Sequence, residues 1–401
     1  MIPDIPDHVP SDRVWDHDFP AFLGELDDPY KAAARLYDGP EIIWATNAFH
    51  GKPAWIFTRH EVIAEGFADY SRFSNLRGDA MNTILDPDWL SLPLETDPPD
   101  HRHYRQILQP FFTPSAMSRR FAEVEELSDR LISAFADRGS CEFISEYAAI
   151  MPNAMFVSIM GMPQEMLEQF VAWENDAVHG ATSEDCIAAG RAIIDYLKGF
   201  IAEQKRNPTS EVMQGILAGR LHGRPLDDSE LLGVCYLLFV AGLDTVFSAM
   251  GWIMRHLAND WALQNRLRDN PHDIAAAVDE FTRAFGVSSP PRTVAKDQIY
   301  RGVPMKRGED ILLPTFLAGR DPLAWPEADV IDIDRKPRHV TFGIGPHVCL
   351  GIHLAKRELQ VLIRSFLSRM RNIRIPDGDS FHFHTTGTIG VSKLCLAWDQ
   401  R

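Results

Sequence analysis

Twenty-four successive positions, Leu231 to Met254, are apolar except for Asp244, Thr245 and Ser248. A run of that length either crosses a bilayer or forms a helix buried on every side in a large domain. An aspartate at the midpoint is costly in lipid, and no second such run accompanies it. The buried reading is the better one. It constrains everything else, because a helix without a polar face needs a full shell of other elements around it. Asp227 and Glu230 stand where a capping box would start that helix. At 401 residues the chain can supply the shell, as one large domain or two closely joined ones.

The remaining segments sort by the period of their apolar residues. Positions 41–45 and 54–57 read as strands within a β-rich portion over roughly 35–75. Spacings near 3.6 recur over 123–136, 186–204, 228–257 and 271–285, which makes 100–285 a helical body. β-branched residues, prolines and glycines return over 288–340, a last helix follows over 350–370, and 381–398 alternates like a hairpin. These patterns predict an α+β protein, mostly α, with small sheets at both ends and no linker. A single domain over 1–401 is expected.

Charge and cysteine usage narrow the setting. Forty basic and 56 acidic residues leave a formal net charge of −16, which argues against nucleic acid and against an anionic membrane surface as partners. Met1 to Pro10 is polar and proline-rich and lacks the apolar core of a signal peptide. Five cysteines in 401 residues suit a reducing compartment rather than a disulfide framework. A cytoplasmic protein, monomeric and free of the membrane, is the expectation.

One cysteine stands apart from the others. Cys349 lies in Phe342-Gly343-Ile344-Gly345-Pro346-His347-Val348-Cys349-Leu350-Gly351, just ahead of an amphipathic run. The glycines let a loop turn tightly, and a helix N-terminus stabilises a thiolate. A zinc site would need three or four close ligands, and His347 with Cys349 offers an H-x-C pair only. A lone thiolate is what a haem iron needs when oxygen is to be cleaved. At residue frequencies of a few per cent each, the seven fixed positions of F-G-x-G-x-H-x-C-x-G-x-x-x-A would recur by chance roughly once in 10⁹ windows.

The pattern resembles the cysteine-ligand loop of the cytochrome P-450 family, and the likeness, strongest to the camphor-hydroxylating bacterial branch, extends over nearly the whole chain. It implies that fold, haem b as cofactor, and Cys349 as the axial ligand of its iron. Ala241-Gly242-Leu243-Asp244-Thr245 is similar to the family's oxygen-binding helix, where an acid–alcohol pair opens the helix. By that likeness Thr245 would steady bound dioxygen and Asp244 would help deliver protons. Read without it, Asp244 would pair with a buried arginine. Glu280 and Arg283 match the family's structural E-x-x-R, with Arg335 as the partner arginine. The segment from Asp97 to Arg105 is similar to the start of the helix crossing the haem, so His101 and Arg105 would face the propionates, joined by Arg292 and His347.

The same resemblance implies a monooxygenase that hydroxylates a small apolar molecule, terpenoid or norisoprenoid in kind, with O2. Electrons would come from NAD(P)H through a reductase and a [2Fe–2S] ferredoxin. Arg72, Arg105, Lys336 and Lys356 fall on the face where that ferredoxin docks. Trp89 takes the place, eight residues before Asp97, of a tyrosine that binds the substrate in the camphor branch. Leu237, Val240 and Ile389 would complete the pocket. A peroxide-driven peroxygenase and a haem-thiolate protein that binds ligand without turnover are the alternatives.

Overall fold

The computed structural model describes residues 5–49, 51–76, 85, 88–180, 182–378 and 380–399. Its axis is the helix Asp228–Asn259, 32 residues long. The capping box at its start is complete: Glu230 N–H donates to Asp227 Oδ1 at 2.9 Å, and Asp227 N–H donates to Glu230 Oε2 at 2.8 Å. Glu230 also accepts from Arg224 through both guanidinium nitrogens, at 2.7 and 2.8 Å. Its Oε1 takes a further bond from the Tyr104 hydroxyl at 2.9 Å. The cap thereby ties the helix Asp100–Phe112 to the start of the central one.

Two hydrophobic cores share the central helix. Its first half, from Leu231 to Phe239, packs with Leu108, Val157, Phe170, Leu197 and their neighbours from the surrounding helices. Its second half, from Phe247 to Ala258, packs with the sheets and with the helix Ile352–Arg369. Such a helix passes the length and hydropathy test for a membrane span, yet here its apolar surface is covered by protein on both halves. Gly251 lets Val391 of the C-terminal strand approach so closely that an added Cβ would sit 2.7 Å from it. The Trp252 indole N–H donates to the Ile389 carbonyl at 3.0 Å.

The helix runs unbroken through 241–245, where an opening was expected. Gly242 serves close packing instead: a Cβ there would meet the Phe156 ring at 3.2 Å. The predicted helix over 271–285 also divides. Pro271 opens a short 3-10 turn to Asp273, and the α-helix proper is Ile274–Ala284, since proline has no N–H to give a preceding turn.

A six-stranded sheet orders Val14–Asp18, Ile42–Phe49, Lys52–Phe57, Asp310–Leu312, Pro291–Val294 and Phe73–Ser74. Trp44 and Trp55 pair across the second and third strands, their rings edge to face at 4.9 Å. Arg292 sits opposite Ile311 in the register, so the sheet delivers an arginine to the interior. The expected C-terminal hairpin is present as Phe381–His384 and Gly390–Asp399. The long strand Gly390–Asp399 also pairs with Arg371–Arg374 and Ser140–Glu142.

Glu280 and Arg283 are fully buried and tie these layers together. Arg283 donates to Glu280 at 2.8 and 2.7 Å, and to the carbonyls of Gly319, Ala328 and Val330 at 2.5, 2.9 and 3.2 Å. All five guanidinium N–H donors are thus placed. Glu280 Oε1 accepts in addition from Arg335 Nε at 3.1 Å and from Asp332 N–H at 3.0 Å. Removing one member of such a set strands a charge in a dry interior. Glu280→Ala is expected to lower unfolding free energy by about 3–5 kcal/mol, read by denaturant unfolding, and a loss under about 1 kcal/mol would show that the site rehydrates.

Candidate functional site

Where the central helix passes from one core to the other, the packing leaves a cavity of about 550 Å³. Leu238, Ala241, Thr245 and Ala249 line it at spacings of three or four residues, which is one stripe along a helix. Facing walls come from the loop Thr341–Gly351, the helix Ile352–Arg369, the start of Asp100–Phe112 and the segment 287–292.

Cys349 enters this cavity at the end of a tightly wound loop. Gly343 and Gly345 hold φ values of 67° and 74°, a region open to glycine at no steric cost. The Cys349 N–H donates to the Phe342 carbonyl at 2.8 Å, closing the turn. Its sulfur is reachable by a water-sized probe because it lines the cavity, although protein surrounds it on the other sides. That burial pushes the thiol up, while the N–H groups of Gly351 and Ile352 and the charge of Arg105 pull it down. Gly351 is the N-cap of the helix Ile352–Arg369, so the sulfur sits at the positive end of a helix dipole. Among the described residues no group of three or more His, Cys, Asp and Glu side chains could hold a metal ion.

Four nitrogen-bearing side chains crowd one end of the cavity. His101, Arg105, Arg292 and His347 all line it, and the two imidazoles lie with centroids 3.9 Å apart. His101 Nδ1, His347 Nε2 and Arg292 Nε are buried with no hydrogen-bond partner among the described residues. Burial holds Arg292 down to about 10 and His101 down to about 4, the latter helped by Arg105. His347 is held at about 2 by burial, then by His101, Arg292 and Arg105. Asp97 works the other way on His101 and Arg292, but its oxygens are occupied by Ser74 Oγ at 2.5 Å and Asn75 N–H at 3.0 Å. Unmet buried donors and depressed cations mark a place that an anion would stabilise.

Asp244 and Thr245 reach the cavity from the central helix. Asp244 is buried and accepts from the Ser248 hydroxyl at 3.3 Å, and Ser248 Oγ lies 3.4 Å from Thr388 Oγ1. Asp244 acts electrostatically on another acid, Glu174. Glu174 carries no sequence signal beyond its place in a helical pattern. Glu358 is a second buried acid that the sequence did not single out. It lines the cavity from Ile352–Arg369, and its Oε1 lacks a partner among the described residues.

Leu237 and Val240 line the cavity, whereas Trp89 and Ile389 do not. Trp89 is spent on the first core: its ring meets Tyr236 edge to face at 4.9 Å. Ile389 turns into the second core and fixes backbone, its N–H donating to the Val287 carbonyl at 2.8 Å. Gly387 and Thr388 take the wall position instead. The four residues expected on an outward basic face differ in their surroundings. Arg105 points into the cavity. Arg72 lies 3.3 Å from Asp69 and Lys356 lies 2.7 Å from Asp279, while the exposed Lys336 has Asp334 within charge range. Each outward cation is offset by an acid.

The family described as Cytochrome P450 matches residues 170–386. The probable cytochrome P450 127A1 of Sinorhizobium fredii (strain NBRC 101917 / NGR234) is 31% identical over 402 residues, covering 98% of this chain and 97% of that protein. The mycinamicin IV hydroxylase/epoxidase of Micromonospora griseorubida is 30% identical over 337 residues, 81% of this chain and 84% of that protein. The crystal structure of CYP101J2 aligns with a TM-score of 0.88 at 29% identity, covering 99% of this chain and 100% of that one.

Glu358 gives the cavity wall a pH signature. Burial pushes its carboxyl from 4.5 up to about 8. Between those values the fold keeps a proton that the unfolded chain has released, so stability falls as pH rises through that window. Glu358→Gln cannot ionise. It should match the wild type near pH 4.5 and exceed it at pH 8, by on the order of 4 kcal/mol. Thermal unfolding at the two pH values reads this, and an equal gap at both would show that Glu358 ionises normally.

Proposed function

The chain belongs to the cytochrome P450 family, and on that premise we propose that Cys349 holds the iron of haem b in this cavity while Asp244 and Thr245 handle protons. The family makes the protein a haem b-dependent monooxygenase that uses O2 and a redox partner. The observation that carries the site reading is a single cavity lined by the Cys349 sulfur, by the acid–alcohol pair and by four nitrogen-bearing side chains.

The cavity fits the cofactor. His101 Nδ1, His347 Nε2 and Arg292 Nε, buried and unpartnered, suit two propionate carboxylates, and Arg105 adds a fourth donor. Apolar side chains such as Phe67, Leu354 and Val287 suit the faces of a flat macrocycle. Bound on a cysteine thiolate, haem supplies the oxygen-cleaving chemistry. The N–H groups of Gly351 and Ile352 offset part of the burial that opposes a thiolate there. The Thr245 hydroxyl passes a proton into the cavity, and Asp244, which lines the same cavity, resupplies that hydroxyl. A dry, mostly apolar wall keeps water from short-circuiting the transfer.

The substrate class follows from what the distal wall lacks. Among the described residues, the cations lining the cavity are those assigned to the propionates, so none of them is left to anchor an anionic substrate. Leu237, Val240, Phe156 and Met160 favour a small, neutral, apolar molecule of terpenoid or norisoprenoid kind. Electrons come from NAD(P)H through a reductase and a [2Fe–2S] ferredoxin, in the cytoplasm and to a monomer. Arg72, Lys336 and Lys356 are the docking candidates, and their acid neighbours weaken the steering they offer.

Two substitutions test the assignment. Cys349→His should retain some haem but lose the strongly red-shifted band of the reduced, carbon monoxide-treated protein, along with hydroxylation; survival of that band would reject Cys349 as the ligand. Thr245→Ala should leave haem binding intact and reroute NAD(P)H electrons into hydrogen peroxide. Removing one proton-handling group lowers product formation by about 10²-fold or more, and unchanged product per NAD(P)H would remove Thr245 from the proton path.

A further inference from the structure

The loop that presents Cys349 is fastened at its upstream end to the helix Ile274–Ala284. The Thr341 hydroxyl donates to the Thr282 carbonyl at 2.8 Å. The Thr341 backbone N–H lies 3.3 Å from His339 Nδ1, and His339 Nε2 lies 3.0 Å from the Thr282 hydroxyl oxygen. These contacts fix which ring nitrogen carries the proton. A backbone N–H can only donate, so Nδ1 accepts from Thr341 and the imidazole is neutral. The Thr282 hydroxyl has a single proton, and two carbonyls of its own helix share it, Val278 at 2.9 Å and Asp279 at 3.0 Å. Its oxygen is left to accept, and Nε2–H is the donor. Burial first, and then Lys356 and Arg283, hold the ring down to about 4 against the pull of Asp279 and Glu280, which agrees with a neutral imidazole. One residue beyond Thr341, the Phe342 carbonyl takes the Cys349 N–H at 2.8 Å. A single ring thus joins a core helix to the turn that aims the sulfur.

We propose that His339, as the neutral Nε2–H tautomer, is a positioning residue for Cys349, spanning from Thr282 to Thr341 and fixing the turn in which Phe342 holds the Cys349 N–H. The Thr341 hydroxyl secures that residue from its side chain and the imidazole secures it from its backbone, so the chain entering Phe342 cannot rotate. The sulfur thereby keeps its place at the start of Ile352–Arg369. A second tie runs beside this one: Lys356 pairs with Asp279 at 2.7 Å and stands over the Phe342 ring at 5.8 Å. Loss of the imidazole therefore loosens the loop without releasing it. The inference rests on the reading of Cys349 as the ligand of the haem iron.

The test uses the haem-loaded protein. Reduced and treated with carbon monoxide, it is diamagnetic, so nitrogen-15 shifts of labelled histidine can be read. The signals lost in His339→Leu belong to His339, and they should show the proton on Nε2. A proton on Nδ1, or on both nitrogens, would overturn the proposal. The second measurement is the decay of the red-shifted band to the ordinary position at pH 7. His339→Leu should hasten it about tenfold, the usual effect of losing one neutral hydrogen bond. His339→Asn, whose Oδ1 can still accept from the Thr341 N–H, should recover at least half of that change on a logarithmic scale. No recovery would reduce His339 to packing. Thr282→Val removes the other end of the span, and combined with His339→Leu it should add little to the faster of the two. Effects that multiply in full would overturn the span, since a general loss of stability behaves that way. Wild-type decay in His339→Leu would end the proposal while leaving Cys349 as the ligand. If the wild type itself lacks the red-shifted band, the reading of Cys349 fails and the proposal falls with it.

Discussion

One helix passing through two hydrophobic cores is the constraint on which the rest of this structure depends. Its first half is held by neighbouring helices and its second by sheets and by Ile352–Arg369. The two packings do not meet seamlessly. At the junction the helix presents Ala241 and Thr245, too small to fill the space, and the cavity opens there. An apolar helix is thus both the spine of the fold and the wall of the site. The polar residues within it sit at the junction, where hydroxyl and carboxyl find each other and the cavity rather than hydrocarbon.

Electrostatics divides the cavity into regions. One end gathers guanidinium and imidazole groups whose ionisation is suppressed by burial and by one another. On the central helix, Asp244 acts on a second buried acid, Glu174. Between them lies the Cys349 sulfur, opposed by burial and supported by N–H groups and Arg105. Carboxylates of a bound cofactor at the cationic end would satisfy the orphaned donors and restore their charge. The Glu230 cap matters here too, since through Tyr104 it secures the helix that brings His101 and Arg105 to that end.

Much of this was legible in the residues. The seven-position loop around Cys349 carries its chemistry in local turns and a helix start, and local geometry is what sequence spacing encodes. The same holds for the capping box at Asp227 and for the strands about Trp44 and Trp55. The errors have a common cause. Trp89 and Ile389 were placed by their distance along the chain from motifs, but which way a side chain turns depends on the ring or strand it meets. Sequence alone allows Arg105 either a propionate or an outward face, and the turn of its helix brings it to the cavity. The acids beside Arg72, Lys336 and Lys356 come from spatial neighbours as well as sequence ones, so net local charge was not readable.

The sequence by itself determined that an apolar helix had to be buried, where it is capped, and which cysteine could present a thiolate at a helix start. These follow from hydrophobic period, cap chemistry and glycine backbone freedom, all acting within a few residues. Only the tertiary structure decided which polar groups share the cavity and which of them lack partners. Glu174 and Asp244 are 70 positions apart in the chain, and so are no more conspicuous together than any two acids. Burial, which no window of sequence contains, is what lifts the Glu174 carboxyl above the ordinary carboxylate range.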